Sequence, residues 1–134
     1  MKFQKEMTGI KAEQLVGFFV DWPNPPNQET HLALLQKSDY RVLAIDEATN
    51  QVVGFITAIS DQVLCAYIPL LEVLPAYQKL GVGKELMTQL LTQLQDYYMI
   101  DLLCDADLQE YYETFNMYRA NGMLIRNYGK QSGR

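Results

Sequence analysis

The run VLPAYQKLGVGKELMTQLLTQL, residues 73–94, limits this chain to few folds. An apolar stretch breaks at Pro75, the backbone passes Gly81 and Gly83, and an amphipathic pattern begins at once. Val82, Leu86, Met87, Leu90, Leu91 and Leu94 recur at the spacing of one helix face. A strand that passes through glycines into a helix leaves the first helical amides without internal acceptors, at the positive end of the helix dipole. Such a turn is a ready anion site, and glycine carries no Cβ to hold a ligand off the backbone. Lys79 and Lys84 add positive charge beside it, and Gln78 adds an amide.

The spacing is not that of a P-loop, which needs four residues between its glycines and then Lys and Ser or Thr. It is not the dinucleotide fingerprint either, because Leu86 stands where the third glycine would be. What remains is Gln78-Lys79-Leu80-Gly81-Val82-Gly83. On its own that hexapeptide is either a ligand turn or simply a tight connection.

The flanking pattern supplies the rest of a sheet. YRVLAID (40–46) and QVVGFITAIS (51–60) read as two strands joined through EATN, a hairpin. QVLCAYIPLLEV (62–73) is almost continuously apolar, the mark of a strand covered on both faces. Helices are expected over 11–21, where Ala12, Leu15, Val16 and Phe19 keep helical spacing, and over 27–37. The prolines of DWPNPPN separate these two helices. After the central helix, YMIDLLC reads as a buried strand, ADLQEYYETF as a helix and GMLIRNY as a last short strand. The order is ααββ(β)αβαβ, a mixed sheet with helices on its faces.

At 134 residues the chain suits a single domain, 1–134. A formal net charge of −5 argues against a nucleic-acid partner and suits a cationic one such as an amine. The N-terminus has no apolar leader and no apolar run reaches membrane-spanning length, so a cytoplasmic protein with no membrane partner is expected. Cys65 and Cys104 lie in apolar runs and read as buried, reduced thiols, with no metal site suggested.

LEVLPAYQKLGVGKELM resembles the acetyl-CoA-binding motif of the GNAT superfamily of N-acetyltransferases, in which a Val-x-Pro step precedes Arg or Gln-x-x-Gly-x-Gly or Ala. DADLQEYYETFNM (105–117) resembles a second motif of that superfamily. The motifs stand in the family's order, and the resemblance covers roughly residues 5–125. It implies a single-domain α/β GNAT-like fold, with a mixed, mostly antiparallel central sheet flanked by about four helices. It implies an enzyme that moves an acetyl group from acetyl-CoA directly to a primary amine of a small molecule or polypeptide, without a metal. An inactive CoA-binding sensor or interaction module is the alternative. Small members are often homodimers, and the short C-terminus would leave a sheet edge open for pairing.

Carried over by position, the Val73 backbone would bind the pantetheine arm, and the loop of Gln78, Lys79, Leu80, Gly81, Val82, Gly83 and Lys84 would hold the pyrophosphate. Tyr112 matches the tyrosine that protonates the departing thiolate, although it also shares an apolar stripe with Leu108 and Phe115. Asp105 stands where an Asn often contacts the cofactor, or it caps the helix. Many members place a carboxylate or His six residues before the Val-x-Pro valine, and here that residue is Tyr67, able to order a water. Glu72 is the only carboxylate within 62–73: a base, an anchor for a cationic amine, or an outward-facing residue. Trp22 in VDWPNPPN either walls the acceptor side or tucks into the core. His31 reads as a surface or boundary residue without a role.

Overall fold

A computed structural model describes all 134 residues. The sheet has five strands in the order β1 (Lys2–Gln4), β2 (Tyr40–Asp46), β3 (Gln51–Ser60), β4 (Cys65–Val73) and β5 (Met99–Asp101). All neighbours are antiparallel except β4 and β5. Helix α1 (Gln28–Lys37) covers one face, and α2 (Val82–Leu94) and the short α3 (Gln109–Glu113) belong to the other. There are thus three α-helices rather than about four, with the remaining helical residues in single 3-10 turns. No helix is long and apolar enough to cross a membrane.

The hairpin β2–β3 and helix α2 form where the pattern placed them. Helix α2 lies very close to the sheet at Gly54, where a Cβ would come within 3.1 Å of Leu86 and 3.3 Å of Val82. Leu86, Met87, Leu90 and Leu94 are fully buried there against Val42, Ile56 and Ala58.

The expected helix over 11–21 does not form beyond a 3-10 turn at Ala12–Gln14. Gly17, Phe19 and Asp21 all have positive φ, which no right-handed helix accommodates. Leu15 and Phe19 still reach the core, but Val16 points outward. The tail GMLIRNY is extended chain without strand partners, and β5 is a short, largely exposed strand rather than a buried one. Strand β4 starts at Cys65, not at residue 62, and its end is only half covered. Both cysteines are free but half-buried.

His31 is not at the surface: it is 1% exposed, ringed by Phe55, Phe19 and Phe18 with centroids at 4.5, 4.8 and 5.2 Å. Its Nε2 has no hydrogen-bond partner. Burial lowers its pKa from 6.5 to about 4. The unfolded chain therefore takes up this proton below pH 6.5 while the folded chain resists it down to about 4, so stability is present above pH 6.5 and drains away as pH falls through that window. The loss should approach ~3 kcal/mol. Urea midpoints at pH 7.5 and pH 4.5 check this: the fall should be markedly smaller in His31→Phe than in the native chain.

Candidate active site

Strands β4 and β5 pair only over Cys65–Tyr67 and Met99–Asp101. Beyond that point β4 continues to Val73 with β3 on one side and no strand on the other. Pro69 lies in this stretch, where the β3–β4 register slips between Thr57 and Ile59. The result is a wedge-shaped opening in the sheet, and every element of the site borders it.

Successive side chains on a strand face opposite ways. Val73 pairs with Gly54 and faces α2, whereas Glu72 pairs with Phe55 and faces the α1 side. Two neighbouring residues thus address the two halves of the site.

On the α2 side, Leu74 passes through the 3-10 turn Pro75–Tyr77 into the glycine loop. Lys79 (φ 65°) and Gly81 (φ 84°) are both left-handed, and alternating hands turn consecutive amides toward one point. The N–H groups from Lys79 to Lys84 donate to no acceptor in the structure. Together with the α2 dipole they make a concave anion seat. Lys79 and Lys84 are exposed beside it. Gln78 is used differently: its Nε2 donates to the Val73 carbonyl at 3.0 Å, tying the turn to the strand. A Cβ at Gly83 would lie 3.4 Å from the Tyr111 hydroxyl and 3.6 Å from Val73 Cγ2, so helix α3 faces the loop across the opening.

Tyr112 is half-buried on α3, its ring 5.1 Å from that of Tyr111. Its pKa is pushed up to about 12, chiefly by burial, with Tyr111 and Cys104 adding to it. It stays a phenol throughout the physiological range. Asp105 is exposed and makes no side-chain hydrogen bond; its backbone carbonyl, not its carboxylate, starts the turn into α3.

On the other side is a cavity of about 390 Å³ lined by Val20, Trp22, Leu70, Glu72, Val73 and Gln78, among others. Trp22 forms its wall and packs on Phe19, with centroids 4.9 Å apart. Glu72 is not outward-facing. Its carboxylate accepts the Phe19 N–H with both oxygens, at 2.9 and 3.0 Å, and the Val20 N–H at 3.5 Å. Burial raises its pKa and these amides pull the other way. Tyr67 lies roughly 20 Å along β4 from Val73, by strand rise, at the closed end of the wedge and outside this cavity. No group of three or more His, Cys, Asp or Glu side chains is placed to hold a metal ion.

The structure therefore brings Val73, Glu72 and the Gln78–Lys84 loop to one opening with Tyr111 across from it, seats Tyr112 next to Tyr111 on α3, and leaves Tyr67 and Asp105 outside the cavity. Tyr111 was missed. It precedes Tyr112 in the second motif, but a helical stripe cannot tell which of two adjacent tyrosines leans toward the glycine loop.

Residues 7–117 match the family model described as the Acetyltransferase (GNAT) family. No curated protein matches the chain. Among solved structures, a Deinococcus radiodurans R1 protein described as an acetyltransferase is 46% identical, with 98% of this chain and 91% of that one covered and a TM-score of 0.95. A GNAT family acetyltransferase from Streptococcus pneumoniae TIGR4 is 25% identical over 94% of this chain and 97% of that one, with a TM-score of 0.76. AAC(6')-Iy in complex with the bisubstrate analogue CoA-S-monomethyl-acetylneamine shares the fold at 15% identity, 94% and 96% coverage and a TM-score of 0.68.

Proposed function

The chain belongs to the GNAT acetyltransferase family, and from that premise we infer that it transfers the acetyl group of acetyl-CoA to a primary amine by direct attack. The observation that carries this reading is the seat of free amides from Lys79 to Lys84, opening onto the wedge between β4 and β5. A CoA pyrophosphate fits that seat. The dipole, two lysines and the open Cβ position of Gly81 all favour a large anion with a chain leading into the wedge.

Acetyl-CoA, when bound, supplies a thioester carbonyl: the neutral amine nitrogen forms the new C–N bond and gives up a proton to solvent, the C–S bond breaks, and the thiolate takes up a proton from a donor that solvent reprotonates. Tyr112 is the group assigned to give that proton, since its phenol is half-buried on α3 beside Tyr111 and remains protonated. Val73 backbone atoms border the same opening and orient the arm. The amine enters through the cavity walled by Trp22, opposite the anion seat.

Glu72 is assigned a positioning role. It holds the Phe19–Val20 backbone, and so Trp22, against the mouth of the wedge. Glu72→Gln keeps an acceptor for these amides, whereas Glu72→Ala leaves them bare. The expected outcome is a severalfold rise in KM for the amine in Glu72→Ala, little change in Glu72→Gln, and unchanged acetyl-CoA affinity in both. Equal loss of kcat in both variants would instead make the carboxylate the base.

The inactive CoA-binding module is the second reading, favoured by one observation: the only carboxylate lining the cavity is engaged by backbone amides. Calorimetric titration with acetyl-CoA, followed by a panel of amines with free thiol monitored, separates the two. Binding with thiol release on one class of amine supports transfer. Binding without release from any amine supports the module, and no binding removes both.

A further inference from the structure

A second cavity, of about 240 Å³, lies between the 15–19 loop and the first turn of α1. Gly17, Phe18, Phe19, Asn27, Gln28 and His31 make up most of its lining. It shares no lining residue with the cavity walled by Trp22. Hydrogen bonds fix its walls. Gln28 Nε2 donates to the Ala12 carbonyl at 2.8 Å and ties α1 to the 3-10 turn, while Asn27 caps the helix by accepting the Thr30 N–H at 2.8 Å. Glu72 holds the Phe19 backbone in place from the sheet.

The polar groups of this lining are chiefly donors without acceptors. The N–H groups of Gly17, Phe18 and Gln28 donate to nothing in the protein. Helix α1, ten residues long, brings the positive end of its dipole to the same place. His31 lines the cavity one turn into that helix; it is 1% exposed and its Nε2 bonds to no other group. Burial holds the imidazole neutral at pH 7, with one ring N–H to give. A buried polar atom left in this state is satisfied by a partner from outside the chain.

The same features select the ligand. Free amides at a helix N-terminus favour an anion. No Lys or Arg lines the cavity, so a dianion has nothing to balance it, whereas a single charge is matched by the dipole and the donors. No Asp or Glu lines it to repel that charge. Leu15, Phe18 and Phe19 supply an apolar wall for a tail. The volume falls below the ~300–1,000 Å³ of pockets for drug-sized molecules, so the tail is short.

We propose that this cavity is a second ligand site, which binds a short-chain monocarboxylate through the amides of Gly17, Phe18 and Gln28 and the imidazole of His31, with the alkyl tail against Phe18 and Phe19. The inference stands apart from the assigned reaction, since it uses no residue of the wedge.

His31 is the only histidine of the chain, so its imidazole resonances report on the site without overlap. Titration of the full chain with butyrate, and separately with butyramide and with inorganic phosphate, tests the proposal. Butyrate should shift the His31 signals saturably, with a Kd on the order of 1 mM, and move the Gly17, Phe18 and Gln28 amides with them. Butyramide keeps the shape and loses the charge, and should bind at least ~10-fold more weakly. Phosphate should leave His31 unmoved. In His31→Phe the response of the three amides to butyrate should be lost, and the wild-type titration decides even if that variant fails to fold. His31 signals unmoved by butyrate at ~50-fold above the expected Kd would overturn the proposal. Shifts confined to the Lys79–Lys84 amides would put the acid in the glycine loop, and equal responses to butyrate and phosphate would make this an adventitious anion site only; either result overturns it.

Discussion

Replacing Tyr112 by phenylalanine is expected to lower kcat on the order of a hundredfold while acetyl-CoA binds as before. The ring survives the change, so the packing of Tyr112 with Phe115 and Met117 around the α2 core is kept and only the hydroxyl is lost. That hydroxyl, held as a phenol by burial, is the proton source assigned to the leaving sulfur. Tyr111→Phe is the matched control. Its hydroxyl lies beside Gly83 at the loop, so its loss should weaken cofactor binding a fewfold and spare kcat. Stopped-flow thiol release, with calorimetry on each variant, reads both quantities. If the two variants exchange these behaviours, the proton donor is Tyr111. If neither alters turnover, the sulfur is protonated by solvent.

Gly83→Trp should abolish acetyl-CoA binding within a calorimetric range, a weakening of at least ~100-fold or ~2.7 kcal/mol. Gly83 is helical, without a positive φ, so the backbone accepts a side chain there. Gly83→Ala has ordinary contacts at 3.4 and 3.6 Å and should fold and bind nearly normally. An indole instead fills the gap between the loop and Tyr111. Thermal melting shows whether the fold is intact, so that lost binding can be assigned to the blocked mouth. Undiminished binding by a folded Gly83→Trp would remove the pyrophosphate from this turn.

Much of this arrangement was legible from local pattern, for a physical reason. The strands β2 and β3 are short apolar runs on either side of a polar turn, and α2 has a continuous apolar stripe, so burial and local preference agree. The glycine loop was legible at Gly81, whose left-handed φ of 84° favours glycine and starts the helix. Residues 11–21 were not. Leu15 and Phe19 are buried as a helix would bury them, but they reach the core through left-handed turns fastened by Glu72, a partner far off in sequence. Helical spacing marks burial as readily as it marks a helix. His31 escaped for the converse reason, since its aromatic surroundings are assembled from β3 and the 18–19 loop. Tyr67 was placed by counting along β4, and counting cannot see that the wedge opens beyond it. The tail has the composition of a strand but stays unpaired, because a strand forms only where another edge meets it.

The loop from Lys79 to Lys84 presents peptide groups, not side chains, to whatever it binds. A point mutation can delete a side chain, but it cannot delete an amide unless it introduces proline. Drift at Lys79, Leu80 or Lys84 should therefore tune affinity without ending it, whereas a β-branched residue at Gly81 would turn the amides away from one another by closing the left-handed region to the backbone. On the proposed reading the acceptor wall is built the opposite way, from the side chains of Val20, Trp22 and Leu70. In a lineage of such proteins the donor seat is robust by construction and the acceptor side is free to diversify.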